Sequence, residues 1–376
     1  MRLARLLPHV LLLAVPAAAE ETELRRHLRE VIRRNDERGV PAPDFGGGHE
    51  WLNVSRPLTL SKDLKGKIVV LDFWTYCCIN CLHVLPDLAY LERKYAGRPV
   101  AVVGCHSAKF ENEAERRNIR EAVLRHGIEH PVVVDRSFAI WRSFGARAWP
   151  TIALVGPEGQ LLGMLSGEGN RERLDVFVEE ALAYYGPRKV LSDDPLPIRL
   201  ERDAFEPGDL AYPGKVLFHG GALYVADTNH NRVLALSPAG GFLWSAGSGA
   251  IGLVDGAPDR ARFFHPQGLW VHGGALFVAD TENHAVRRID LETRRVTTVA
   301  GPGRPREVSL SSPWDLLVHE GFLYVAMAGT HQIWRMELPA GKIGPWAGSG
   351  AEARLDAAGT GGALAQPSGL AGDGTW

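Results

Sequence analysis

Three of the four cysteines in this chain lie within five residues, at positions 77–81, in the order Cys-Cys-Ile-Asn-Cys. The apolar, β-branched and aromatic residues 69–74 come just before them, a pattern that predicts a buried strand leading into a helix. A helix N-terminus carries partial positive charge, which lowers the pKa of a cysteine there and favours the thiolate. We therefore predict that Cys78 is the nucleophile and the more acidic and more exposed thiol of the pair. We also predict that the buried Cys81, about one turn later, attacks the resulting mixed disulfide.

A CxxC pair can also be half of a zinc site or an inert pair. Zinc requires four ligands, and the sequence has no second CxxC to complete the set. Haem attachment would require a histidine directly after the second cysteine, where Leu82 stands. These observations favour redox chemistry at the pair.

A second feature lies further along the chain, where Trp149-Pro150 precedes the strand-like residues 152–155. Together with the Asp-Phe-Trp run and the CxxC pair, it resembles the thioredoxin fold, in particular its membrane-anchored or secreted reductases. The resemblance implies that Pro150 is cis and faces the disulfide, where it lets a substrate backbone pair beside it. It also implies that Asp72 is a buried acid that takes the proton from Cys81. The alternatives are a trans proline at a strand start and a solvent-facing Asp72.

The motif departs from the thioredoxin pattern at three positions. Cys77 stands where thioredoxins usually have tryptophan, so an extra thiol lies beside Cys78. Ile79-Asn80 replaces the Gly-Pro that is typical of reductases. Because these residues help to set the reduction potential, the sequence leaves reductase, oxidase and isomerase directions open.

Length and composition restrict the class of protein. A chain of 376 residues favours two domains, and a formal charge of −2 gives no electrostatic argument for binding nucleic acid or a membrane surface. Clustered cysteines cannot form a distributed disulfide framework. We expect no cofactor beyond the redox-active Cys78–Cys81 disulfide itself.

The N-terminus has the features of an export signal. Arg2 and Arg5 form a charged start, residues 11–15 an apolar centre, and the alanines 17–19 a cleavage site. We predict an exported protein, periplasmic or secreted; if the segment is not a signal, the protein is cytoplasmic. The sequence has no apolar run of about 20 residues, so we expect no stable membrane insertion after cleavage.

Five segments follow from these patterns. We predict a signal peptide at 1–19, an N-terminal helix and linker at 20–48, a thioredoxin-like domain at 49–186, a Pro-rich linker at 187–212 and repeats at 213–376. Within the thioredoxin-like domain, the apolar pattern predicts one continuous helix over residues 111–126.

The last segment repeats itself. Leu-Tyr-Val-Ala-Asp-Thr at 223–228 returns as Leu-Phe-Val-Ala-Asp-Thr at 276–281 and as Leu-Tyr-Val-Ala-Met-Ala at 323–328. Units of about 50 residues that hold several short strands are typical of propeller blades. We therefore predict an all-β propeller after the α/β domain.

One position of the repeat holds Asn231, His284 and His331, and it resembles the NHL repeat. We expect these side chains to make structural hydrogen bonds rather than to bind a ligand. The GxGxxG match at 247–252 resembles a dinucleotide-binding loop, but its glycines recur once per repeat without a βαβ unit, so we predict a loop between blades. Met327 interrupts the aspartates that precede this position, which weakens a calcium site.

The combination of CCINC in a thioredoxin-like domain with following NHL repeats resembles the NHL-repeat-containing thioredoxin-like proteins of bacteria and animals. The resemblance extends from Glu50 to the end of the chain. It implies a partner-binding propeller. Because that family carries a complete propeller, we expect this chain to be truncated, with about three blades.

The leading hypothesis is a thiol–disulfide oxidoreductase acting on protein cysteines, with Cys78, Cys81, Asp72 and Pro150 as its site and the propeller binding a protein partner. One alternative is a non-catalytic protein-interaction scaffold. Another is a thiol peroxidase or redox sensor that uses Cys77 or Cys105.

Overall fold

The computed structural model describes residues 17–205, 208–302, 309–339 and 341–372.

Two compact units make up the chain, and they divide between Ala204 and Phe205. The first is an α/β thioredoxin-like domain, and the second consists of four-stranded antiparallel sheets of the β-propeller type. This architecture confirms the predicted fold class. The elements of the first unit are α1 (Ala17–Arg38), β1 (Trp51–Leu52), β2 (Ile68–Trp74), α2 (Ile79–Lys94), β3 (Val100–His106), α3 (Arg116–Arg125), β4 (Val132–Val134), α4 (Ala139–Phe144), β5 (Thr151–Val155), β6 (Leu161–Ser166) and α5 (Arg171–Tyr185).

Strand β2 lies inside a six-stranded mixed sheet of order β1-β4-β3-β2-β5-β6. It pairs in parallel with β3 and antiparallel with β5, and all seven of its residues are buried. Because side chains alternate along a strand, Leu71 and Phe73 share one face, where they join a core cluster with Trp141. Asp72 and Trp74 therefore lie on the opposite face.

The helix predicted over 111–126 is broken. The structure has a 3₁₀ helix at Glu111–Ala114, an extended Glu115 (φ −76°, ψ 121°), and then α3. The cause is Glu113, whose side chain is buried and accepts hydrogen bonds from the loops beside the cysteines. A continuous helix would not leave the carboxylate free to do this.

The N-terminal helix belongs to the first unit. Leu28 and Ile32 of α1 are buried, and Arg29 is paired with Glu180 of α5 at 2.8 Å. The predicted signal peptide concerns residues 1–19, of which 1–16 lie outside the described residues. Within the described part of the chain, no helix is long and apolar enough to cross a membrane.

The first part of the predicted linker, residues 187–204, also packs on the first unit. Ser192 N–H donates to Gly66 O at 2.8 Å, and Arg199 N–H donates to Asn53 O at 3.1 Å. Glu201 accepts from Arg120 at 2.6 Å. The domain boundaries stay a prediction. These contacts place residues 187–204 with the first unit rather than in a free linker.

The second unit contains three sheets in its described residues. Its strands are β7 (Val216–His219), β8 (Ala222–Asp227), β9 (Arg232–Leu236), β10 (Phe242–Ala246), β11 (Pro266–His272), β12 (Ala275–Asp280), β13 (Ala285–Asp290), β14 (Val296–Ala300), β15 (Pro313–His319), β16 (Phe322–Met327), β17 (Gln332–Glu337) and β18 (Ile343–Ala347). Strands β7–β10 form the first blade, β11–β14 the second and β15–β18 the third, each in sequential order.

The repeated Asn/His position is structural, as predicted. Asn231, His284 and His331 all adopt left-handed backbone conformations, with φ of 51°, 49° and 55°. Each accepts a backbone N–H from the residue that precedes the next repeat's proline: His265, Ser312 and Gln366. The position therefore joins each repeat to the next.

The first glycine of the GxGxxG match lies against the backbone of the Asn/His position. Gly247 has φ 113°, and a Cβ there would lie 2.7 Å from Asn231 O. Gly348 stands in the same relation to His331 O. Glycine is thus required by close backbone approach within each blade.

We expect limited chymotrypsin digestion of the full chain to cut first within 205–212, after the exposed Phe205 or Leu210. Residues 187–204 should resist longer, because their backbone is hydrogen-bonded to the first unit. Intact-mass analysis of the first fragments measures this. Initial cuts after Leu196 or Leu200 would show that this segment is a free linker.

We expect His284→Ala to destabilise the second unit by about 1–3 kcal/mol, because it leaves the buried Ser312 N–H without its acceptor. His284→Asn should cost much less, since asparagine occupies this position in the first blade and tolerates left-handed φ. Urea unfolding measures both, with the exposed His272→Ala as control. Equal losses for the two His284 variants would contradict the hydrogen-bonding role.

Candidate active site

Strand β2 and helix α2 position the cysteine pair. Cys78 is the N-cap residue of α2, with φ −93° and ψ 112°, and its carbonyl accepts from Cys81 N–H at 3.0 Å and Leu82 N–H at 3.1 Å. Cys81 lies in the first turn. Both thiols therefore stand at the positive end of the helix, directly after the central strand.

Both thiols of the pair are buried, with Cys78 2% and Cys81 0% exposed. Burial of Cys81 was predicted, and Cys78 is the more exposed of the two, as predicted, but only by this small margin. The loop before β5 lies against it, and Cys78 Sγ is 3.9 Å from the carbonyl oxygen of Trp149. The half-buried thiol is that of Cys77, and the four cysteines are reduced rather than joined in disulfides.

The Trp149–Pro150 bond is cis, as predicted. Trp149 is held by its ring, which packs 4.5 Å from that of Trp141 and donates from Nε1 to Ser107 O at 2.9 Å. Pro150 is buried at the start of β5. The structure thus brings this loop and Cys78 together.

Asp72 is fully buried, which excludes a solvent-facing side chain. Neither carboxyl oxygen has a hydrogen-bond partner among the residues that the structure describes. Burial, and to a smaller extent the charge of Cys78, raise the pKa of Asp72 to about 8. A carboxyl group with this pKa can exchange a proton near neutral pH.

The Cys81 thiol is the partner with which Asp72 could exchange a proton. Burial raises the pKa of Cys81 well above its ordinary value, and the hydrogen bond and charge of Cys78 and the charge of Asp72 add to the effect. Cys78, Cys81 and Asp72 therefore form one electrostatically linked group, which we call the thiol site together with the Trp149–Pro150 loop.

Cys105 lies apart from this chemistry. It is fully buried in the core cluster with Phe73, and burial raises the pKa of its thiol well above the ordinary value. Among the described residues, no group of three or more His, Cys, Asp or Glu side chains could hold a metal ion.

Sequence reasoning missed Glu113. This side chain is 1% exposed, and its carboxylate accepts from Cys77 N at 3.0 Å, Thr75 Oγ1 at 2.9 Å and Lys109 N at 2.9 Å. The available signal was its position three residues after Phe110, inside the segment from Glu50 onward that carries the family resemblance. An acidic residue in a helical pattern is usually solvated, so the sequence did not single it out.

Comparison with known proteins supports the fold and the family. The family model described as thioredoxin-like matches residues 66–161. The chloroplastic protein SUPPRESSOR OF QUENCHING 1 of Arabidopsis thaliana is 47% identical over 269 residues, which are 69% of this chain and 25% of that protein. Human NHL repeat-containing protein 2 is 41% identical over 300 residues, which are 79% of this chain and 41% of that protein.

A smaller relative matches part of the chain. Thiol-disulfide oxidoreductase ResA of Bacillus thuringiensis is 27% identical over 119 residues, 32% of this chain and 66% of that protein. The thioredoxin-like unit and this relative together support redox function in general terms.

This chain spans less than half the length of the Arabidopsis and human relatives. The match to the human protein covers 300 residues, more than the first unit contains, so it includes part of the repeats. The chain belongs to the family of thioredoxin-like proteins with NHL repeats.

Proposed function

We propose that this protein is a thiol–disulfide oxidoreductase that acts on protein cysteines through Cys78 and Cys81. One observation carries the proposal. Cys78, the N-cap residue of α2, interacts electrostatically with the Cys81 thiol, and both interact with Asp72. Asp72 is a buried carboxyl group without a hydrogen-bond partner in the described chain. Such a carboxyl group is costly to bury, and perturbed acids of this kind cluster at functional sites.

In the reductive direction, the Cys78 thiolate attacks a client disulfide. A Cys78–client disulfide forms, and the other client sulfur leaves as a thiolate. Cys81 then gives its proton to Asp72 and attacks Cys78 Sγ, which forms the Cys78–Cys81 disulfide and releases the second client sulfur. An external dithiol must reduce the pair again; run in reverse, the same steps oxidise a client.

Helix α2 and Asp72 act on different stages. The N-terminus of α2 stabilises negative charge on Cys78, both as attacking and as leaving group. Asp72, whose pKa is about 8, accepts the Cys81 proton in those molecules in which it is ionised, about half of them near pH 8, without requiring water in the buried site. Pro150, beside Cys78, serves as the dock for the client backbone.

The wider role follows the family resemblance. We propose that the propeller binds a protein partner and that the protein works in an exported compartment, because thiol chemistry of this kind is used where protein disulfides form. Nucleic acid is not among the proposed partners.

A second candidate is a non-catalytic scaffold, and the 2% exposure of Cys78 favours it, since a buried thiol cannot meet a client without local movement. The reduction potential of the Cys78–Cys81 pair decides between the two. We expect reversible cycling between about −270 and −180 mV, the span from thioredoxin to disulfide isomerase. A pair that does not cycle in glutathione or dithiothreitol buffers supports the scaffold.

In Cys81→Ser, we expect mixed disulfides between Cys78 and client proteins to accumulate, because the resolving thiol is gone. Non-reducing electrophoresis with mass spectrometry measures the adducts. At least as much mixed disulfide should accumulate in Cys77→Ala/Cys81→Ser. The matched control is Cys78→Ser/Cys81→Ser. Equal adduct levels in that control would remove Cys78 from the nucleophile's role.

We expect Asp72→Asn to slow disulfide exchange and at the same time to stabilise the protein. Between about pH 4 and 8, Asp72 is ionised in the unfolded chain but protonated in the folded one, so wild-type stability falls as pH rises. This one group contributes roughly 1.4 kcal/mol per pH unit. The variant lacks this slope, so its advantage in urea unfolding should grow from pH 5 to pH 8.

Asp135→Asn is the matched control, because Asp135 is equally buried but accepts from Ser107 Oγ, Ile140 N and Trp141 N at 3.2, 3.2 and 2.8 Å. Its loss should destabilise the protein by about 1–3 kcal/mol. If Asp72→Asn destabilises at pH 8 as Asp135→Asn does, Asp72 is a structural residue.

A further inference from the structure

Glu113 ties two loops of the thiol site together. Besides Cys77 N, Thr75 Oγ1 and Lys109 N, it accepts from Phe110 N at 3.2 Å. Four donors converge on one buried carboxylate, so the side chain is held in one position and carries its charge beside the residue that precedes Cys78.

The thiol of Cys77 also faces this carboxylate. Burial raises the pKa of Cys77 to about 12, with the hydrogen bond to Glu113 and its charge as the next causes. The other charged or titratable groups that act on Cys77 are Lys109, which lowers its pKa, and Cys78, which raises it. Tyr76 interacts with both Glu113 and Cys77.

Cys77 would otherwise compete with Cys81. It is the more exposed thiol, and it is adjacent in sequence to the proposed nucleophile. A Cys77 thiolate could attack the Cys78–client disulfide, forming a Cys77–Cys78 bond and releasing the client thiolate. Only the thiolate makes this attack, so the group that keeps Cys77 protonated determines which thiol resolves the intermediate.

We propose that Glu113 is a positioning residue that holds Cys77 as a thiol and keeps it out of exchange, so that a site with three cysteines works with two. The consequence for resolution rests on the proposed oxidoreductase function; the protonation of Cys77 does not.

The first experiment measures iodoacetamide alkylation of Cys77 against pH in the full chain carrying Cys78→Ser/Cys81→Ser. We expect no titration of Cys77 below about pH 10, and a rate at pH 8 at least tenfold below that of a free cysteine peptide. Adding Glu113→Gln should raise that rate about tenfold or more and move the pH midpoint down.

The pH midpoint of Cys77 alkylation distinguishes an effect of the Glu113 charge from a change in the exposure of Cys77. Simple loosening of the loop would raise the rate by one factor at every pH, whereas loss of the carboxylate charge shifts the profile. Glu111→Gln, an exposed residue of the same 3₁₀ helix, is the matched control and should leave the profile unchanged. An unshifted midpoint in Glu113→Gln overturns the proposal. If that variant does not fold, titration of Cys77 near pH 9 in the parent overturns it too.

The second experiment uses Cys81→Ser with Cys78 carrying thionitrobenzoate from Ellman's reagent. In Cys81→Ser, attack by Cys77 should release the coloured thiolate slowly. Adding Glu113→Gln should make this release about tenfold faster. Adding Cys77→Ala should abolish it. Equal release with and without Glu113→Gln contradicts the effect on resolution. If Cys78 never accepts the label, the oxidoreductase proposal fails while the Cys77 profile still decides the role of Glu113.

Discussion

Removal of water from the end of strand β2 is the constraint on which the rest of the first unit depends. The strand is buried along its whole length, helix α2 begins just after it, and the Trp149–Pro150 loop lies against Cys78. In this environment Asp72 retains its proton near neutral pH, and the Cys81 thiol resists ionisation. Three buried carboxyl groups of the first unit show the contrast. Asp135 and Glu113 are hydrogen-bonded by several donors, whereas Asp72 has no hydrogen-bond donor in the described chain. Of these three, Asp72 is the one that is buried at the expense of stability.

The second and third blades meet the same constraint with different residues at one pair of buried positions. In the second blade, the fully buried Arg287 is paired with Asp280 at 2.7 Å and with Asp255 at 3.0 Å. The equivalent positions of the third blade hold Met327 and Trp334, both buried. Removing only one member of a buried ion pair would leave an uncompensated charge, while replacing both with apolar side chains costs little. Met327, which interrupts the repeat in the sequence, is therefore explained by its partner.

Patterns within short stretches of the sequence predicted those features that are determined by interactions between residues close together in the chain. The apolar run 69–74 and the CxxC spacing identified the central strand and the helix start. The recurrence of Asn231, His284 and His331 identified a position of structural hydrogen bonds in each repeat. The near-complete burial of Cys78 could not be predicted, because the residue that covers it, Trp149, is 71 residues away. The broken helix at Glu115 has a similar origin, since Glu113 turns towards Thr75 across 38 residues. Propensity within a window cannot report such contacts.

Spacing alone does not assign roles to three thiols within five residues; their surroundings do. Cys78 caps a helix, which favours its thiolate, whereas Cys81 lies beside a carboxyl group that can take its proton. Cys77 faces a carboxylate that is already saturated with donors and opposes its ionisation. Because each attack in thiol–disulfide exchange requires a thiolate, the proposed order of reaction depends on where each thiol can lose its proton. Under this proposal, an additional cysteine can be present beside Cys78 without changing the course of exchange, provided that the charge facing it is negative and fixed.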